Sequence, residues 1–151
     1  MKLIYPASIS RDEENNIYIV KVPDIPGCEI ESETLADAIT KGIDAASSLL
    51  LDELENGRRV PKASPIESIR VEPGGFVNML MMDVNTYAEK SNRSLLKKNV
   101  RIPQWLSSFA DSQQINISEV LANTLTGIYE QQLAYEDKFE RPPVLQLVQH
   151  S

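Results

Sequence analysis

The residues with the most usable chemistry stand together at Lys97-Lys98-Asn99-Val100-Arg101-Ile102. In an extended chain successive side chains point to opposite faces, so Lys97, Asn99 and Arg101 share one face. Lys98, Val100 and Ile102 share the other, and its two apolar members can seat on a helical core. The first trio carries the groups that read base edges in the DNA major groove. Arginine bonds bidentately to guanine O6 and N7, asparagine to adenine N6 and N7, and lysine reaches a guanine or a phosphate. One short strand cannot satisfy its own backbone groups, and residues 97–135 offer no second one. The expected mate is the same strand of another copy, giving a two-fold antiparallel ribbon with six polar side chains, of a width the groove admits. Asn116, Ile117 and Ser118 stand at an expected helix start, whose free amides and positive dipole end suit a backbone phosphate. The plain alternative is an edge strand with a solvated polar face. A helix-turn-helix would leave Lys97 to Pro103 without a role.

Carboxylates form the second group. Glu29, Glu31 and Glu33 alternate, Asp12, Glu13 and Glu14 are consecutive, and Asp24 sits in a proline-rich loop. Such groups suit a basic partner, or simply a solvated face. Several converging on two metal ions about 4 Å apart would make a nuclease, for which Asp12 and Asp24 are the candidates to replace. Most of these acids fall in turns, so no enzyme is expected. His150 is the only histidine, which leaves no Cys/His zinc set. Cys28 is the only cysteine; it can form no internal disulfide, fits a reducing compartment and is expected to pack as a small apolar residue. Pro73-Gly74-Gly75 is a plain turn, and no glycine-rich phosphate loop occurs. No cofactor or metal is expected.

The formal charge of −7 looks wrong for a nucleic-acid binder. Divided by segment, residues 1–96 hold 10 Lys+Arg and 16 Asp+Glu, a net of −6, while residues 97–151 hold 5 and 6, a net of −1. The acidic part repels phosphate and should face a basic partner instead. No apolar run approaches the roughly 20 residues of a membrane helix, and Pro6, Ser8, Arg11 and Asp12 interrupt any signal-peptide core. A cytoplasmic protein without membrane contact is expected.

These groups need elements to place them. Leu3 to Ile9 reads as a strand interrupted at Pro6, which suggests an edge or a bend. Arg11 to Asn16 is a turn, Ile17 to Val22 a β-branched strand, Pro23 to Gly27 a fixed loop and Cys28 to Glu31 a third strand. Thr34 caps a helix whose apolar residues run from Leu35 to Leu54 at helical spacing and which Asn56-Gly57 ends. Ile69 to Val71 is expected to pair with Phe76 to Val84, whose Met79-Leu80-Met81-Met82 run reads as a buried strand. Asn85 is expected to cap a short helix. Two helices then follow Pro103, with Leu106, Phe109 and Ala110 on one face of the first. The second carries Ile117, Val120, Leu121, Leu125 and Ile128 as a stripe. The expected organisation is α+β: residues 1–92, a linker at 93–96, a strand-helix-helix unit at 97–135, and a tail at 136–151. In the tail Val144, Leu145 and Leu147 could pack on something.

Residues 97–135 resemble the ribbon-helix-helix repressors of the Arc and CopG kind. By position, that resemblance makes Lys97, Asn99 and Arg101 the base-contacting residues. Residues 3–55 resemble the HicB family of antitoxins, through Tyr5-Pro6-Ala7, Tyr18-Ile19-Val20, Pro23-Asp24-Ile25-Pro26-Gly27-Cys28 and Thr34-Leu35. Ser32 departs from the glycine common there. The resemblance implies a partial ribonuclease-H-like sheet with one long helix, and a HicA-type mRNA-cleaving ribonuclease toxin as partner. Tyr18, Asp24, Glu29, Glu31 and Glu33 are the candidate toxin contacts. The protein would then be an antitoxin that also binds operator DNA as a homodimer and represses its own operon. The rival is a stand-alone regulator whose N-terminal domain senses another protein or a small ligand.

Overall fold

The computed structural model describes residues 1–93 and 95–139, the last by its backbone alone. The chain divides into two compact units, one of Lys2–Leu95 and one that begins at Leu96.

In the first unit, β1 (Lys2–Asp12), β2 (Ile17–Lys21), β3 (Glu29–Ser32) and β4 (Phe76–Asp83) form one antiparallel sheet in the order β3-β2-β1-β4. Period-two alternation decides its faces. Tyr5, Ala7 and Ile9 of β1, Val20 of β2, and Leu80 and Met82 of β4 are buried on one face. Helix α1 (Leu35–Glu55) covers that face, burying Ala38, Gly42, Ala46 and Leu50 at four-residue spacing. Gly42 permits the close approach, since a Cβ there would lie 3.0 Å from Val20 Cγ1. The Thr34 side chain accepts from the Asp37 N–H at 3.2 Å to start α1. Gly57, at φ +70°, ends it in the left-handed region.

Pro6 does not interrupt β1, and of the edge or bend expected there the structure shows a local edge. It stands opposite Met79, whose N–H turns from β1 and donates to the Asn78 side chain at 2.9 Å, so the ladder to β4 asks for no donor there. The ladder to β2 begins only at Ser8, which leaves Pro6 in a stretch with one strand neighbour. The turn is shorter than expected, Glu13 to Asn16, and the third strand lies one residue later than expected.

Residues 58–75 leave α1 as a strap along the sheet. Tyr5 Oη donates to the Pro61 carbonyl at 2.6 Å, and Ser64 donates to Asp24 through its N–H at 2.8 Å and through its hydroxyl. One 3-10 turn, Ile66–Ser68, follows. Ile69 to Val71 form no strand; β4 pairs with β1 instead, because the continuous apolar ladder of β1 offers it more burial than a three-residue segment can. Asp83, not Asn85, caps α2 (Val84–Lys90) by accepting from the Thr86 N–H at 3.2 Å. Arg93 then binds Asp52 and Ser48 of α1.

In the second unit, α3 (Gln104–Ser112) and α4 (Ile117–Phe139) are joined by a turn in which Gln114 has φ +56°. Pro103 stands one position ahead of α3 in extended conformation. Helix α4 runs past residue 135, so the first residues assigned to a tail are helical; Val144, Leu145 and Leu147 lie outside the described residues. Residues 97–102 form no strand within the single chain, and Val100 and Ile102 stay 52% and 42% exposed, not seated on the helices. The physical reason is the one that made a mate necessary: among the described residues of this unit no second strand lies ready to pair with them.

Candidate functional site

The five acidic and aromatic candidates of the first unit do not form one surface. Glu29 pairs with Lys21 and Glu31 with Ile19 across β3 and β2, which puts both carboxylates on the face away from α1, along an edge strand. Lys21 Nζ lies 3.7 Å from Glu29 Oε1, with both side chains about half exposed, so this pair adds little to stability. Tyr18 is on the opposite face, between Arg11 and Ser32 in register. The Arg11 guanidinium stands 5.7 Å from the Tyr18 ring centroid, and Ser32 also accepts from Lys41 of α1 at 3.5 Å. Glu33 is exposed in the bend before α1.

Asp24 is half-buried and holds Ser64 of the strap through two hydrogen bonds. Burial pushes the Tyr5 phenol up to about 12, with the nearby Asp24 charge adding to the effect. Asp12 is likewise occupied: one oxygen accepts from the N–H groups of Glu14 and Asn15, the other from the Asn15 amide at 2.7 Å. The Asn15 side chain is the main cause that holds its carboxyl below the usual range. Among the described residues no group of three or more His, Cys, Asp or Glu is placed to hold a metal ion. Cys28 is buried with its thiol 3.9 Å from the Gly42 carbonyl, and burial raises its pKa. It packs α1 to the loop, as a small apolar residue would.

One surface escaped the sequence reading. Ile4 pairs with Met81, and Pro6 with Met79, on the face away from α1, and Ile4, Met79 and Met81 are exposed. The signal was present in the alternation of the methionine run, half of which is buried and half not.

In the second unit Lys97, Asn99 and Arg101 are all exposed. Asn116 Oδ1 accepts from the Glu119 N–H at 3.2 Å and so caps α4, with Ser118 exposed and Ile117 partly buried beside it. Ala110 is the one buried residue among those described from Leu96 on, while Val100, Ile102, Trp105, Leu106, Phe109, Val120, Leu121 and Leu125 are exposed. No helix among the described residues is long and apolar enough to cross a membrane.

The first unit is thus acidic, and among the described residues the second leaves most of its large apolar side chains exposed. The family model for the HicB-like antitoxin of bacterial toxin-antitoxin systems matches residues 5–125, and the chain belongs to that family. A 14.9 kDa protein from the rep-hol intergenic region of Haemophilus phage HP1 is 35% identical over 71 residues, which are 47% of this chain and 52% of that protein. The match thus spans about half the length of that relative. In fold, the chain is similar to a chain of a toxin-antitoxin complex from Streptococcus pneumoniae, with TM-score 0.55, 22% identity, and coverage of 84% of this chain and 99% of the other. It is also similar to the antitoxin HicB of Burkholderia pseudomallei, with TM-score 0.50, 24% identity, and coverage of 82% and 96%.

Proposed function

We propose that this antitoxin binds and neutralises a HicA-type mRNA-cleaving ribonuclease through its first unit. As a dimer joined at residues 97–102, it represses its own operon through the second. The observation that carries the reading is the state of the second unit in a single chain. Among the described residues, a segment with the polar and apolar alternation of a groove-reading strand has no mate, and the apolar residues of the two helices that follow it are exposed. Exposed apolar surface of that extent marks an interface. A two-fold partner would supply both the missing ladder and the missing half of the core. Lys97, Asn99 and Arg101 would then read bases, with the α4 start at Asn116, Ile117 and Ser118 on a phosphate.

For the toxin, family membership and the net charge of −6 on residues 1–96 support a basic partner. Glu29 and Glu31 share a face and stand as the contact candidates best placed to act together, with Glu33 beside the start of α1. Tyr18 lies on the other face and Asp24 holds the strap, so both have structural work. The first unit is proposed as the partial ribonuclease-H-like fold, without a catalytic role, a cofactor or a membrane partner, and in the cytoplasm.

Co-expression with the neighbouring gene tests the pair directly. The expected outcome is a stable complex in a pull-down and restored growth of cells expressing the toxin. A chain that neither captures nor rescues would end this reading. Gel shifts on the upstream DNA should show binding by the full chain and none once residues 97–151 are deleted.

A further inference from the structure

The face of the sheet away from α1 holds a second feature, a cavity of about 420 Å³ between β1, β2 and the strap. Ser8 and Ser10 point the same way along β1, and Ser8 is in register with Lys21 of β2. Arg70 and Ser68 reach it from the strap, while Pro23 and Ile69 form apolar walls. Among the described residues, the half-buried hydroxyls of Ser8 and Ser10 have no hydrogen-bond partner, and the Arg70 guanidinium has neither a hydrogen bond nor an ion pair. Ser64, half-buried like Ser8 and Ser10, is by contrast used, donating to Asp24. Two half-buried hydroxyls and the exposed guanidinium of Arg70, lining one cavity with Lys21, make a donor-rich pocket suited to an acceptor-rich ligand.

The geometry points to a binding site for a small phosphate-bearing ligand, held by Ser8, Ser10, Lys21 and Arg70. A phosphate presents enough acceptor oxygens to serve two hydroxyls, a guanidinium fork and an ammonium together, whereas a carboxylate has two. Lys21 is already drawn to Glu29 at 3.7 Å, but both ends of that pair are about half exposed, so the lysine can turn to a dianion at small cost. Glu72 also lines the cavity and opposes an anion, which gives the site a sign that can be tested. Lys21 is the one residue of the site that also pairs with a candidate toxin contact, Glu29; growth rescue reads toxin capture and the titration below reads this site, so the two can fail separately.

The test is a titration of the full-length chain with sodium phosphate, with AMP and with acetate, followed by backbone and arginine side-chain NMR shifts. Saturable shifts are expected at Ser8, Ser10, Lys21 and Arg70, with acetate weakest. Arg70→Ala should weaken phosphate binding about tenfold or more, and Glu72→Gln should strengthen it. AMP binding more tightly than phosphate would make a phosphate ester using Pro23 and Ile69 the ligand; equal binding would make it the free ion. Ser10→Ala serves as the second variant should Arg70→Ala change the circular dichroism. Shifts that are absent, that appear equally at Lys97 and Arg101, or that survive both substitutions would overturn the proposal.

Discussion

At the scale of single residues, chemistry and position separate cleanly in two places. Arg101 and Lys98 are both exposed cations three positions apart in sequence, yet alternation assigns only Arg101 to the base-reading face. Arg101→Ala should cost about 1–3 kcal/mol of operator binding and relax base preference, against a smaller, sequence-independent loss for Lys98→Ala. Equal losses in quantitative gel shifts would reject the assigned face. Tyr5 supplies a pH prediction. Its phenol is raised from 10.0 to about 12 because the buried site disfavours phenolate. A raised acid gives its stabilisation in full below the unfolded value and loses it as pH climbs through the folded one. Stability should therefore fall by roughly 2 kcal/mol between pH 10 and 12, at about 1.4 kcal/mol per pKa unit. Denaturant melts of Tyr5→Phe should lack most of that slope. The Pro-Asp-x-Pro-Gly-Cys string was legible because each residue type is dictated by the turn. The use of Asp24 on Ser64, 40 residues away, was not, since nothing in the local sequence marks a partner at that distance.

At the scale of elements, period and caps carried most of the information. Thr34, Gly57 and Asn116 each mark a helix end by a local bond or backbone preference, so α1 and the start of α4 could be read directly. Failures arose where a tertiary neighbour decided. Asp83 took the cap of α2 from Asn85, and β4 chose β1 over residues 69–71. The methionine run was read as buried throughout, whereas the pleat divides it: Met82 is 0% exposed and Met81 52%. That contrast is itself testable. Met82→Ala should cost about 2–4 kcal/mol through lost burial and the cavity left behind. Met81→Ala should stay within about 0.5 kcal/mol. Urea melts of the two variants compare adjacent residues of one strand; similar losses would mean that the outer face is covered in solution.

At the scale of the whole molecule, the two units differ in how far a single chain completes them. The first has a sheet, a covering helix and fully buried side chains such as Tyr5, Ile9, Leu50 and Met82. It meets the ordinary condition for folding alone. The second has one buried residue among those described and a segment at 97–102 without a ladder. Its stability should therefore belong to an assembly, and its melting should depend on protein concentration while that of the first unit does not. A charge on the apolar side of the segment separates the two cases. Ile102 is exposed in the single chain, so Ile102→Asp places its carboxylate in water while the chain is alone. In the proposed dimer the same carboxylate would be buried without a partner, at a cost of several kcal/mol. Sedimentation of this variant should show monomers at concentrations where the parent chain is dimeric. Operator binding should be lost, and toxin capture by the first unit kept. A variant that remains dimeric and binds DNA would place the subunit contact elsewhere in the chain and leave Lys97, Asn99 and Arg101 without the ribbon that makes them a reading face.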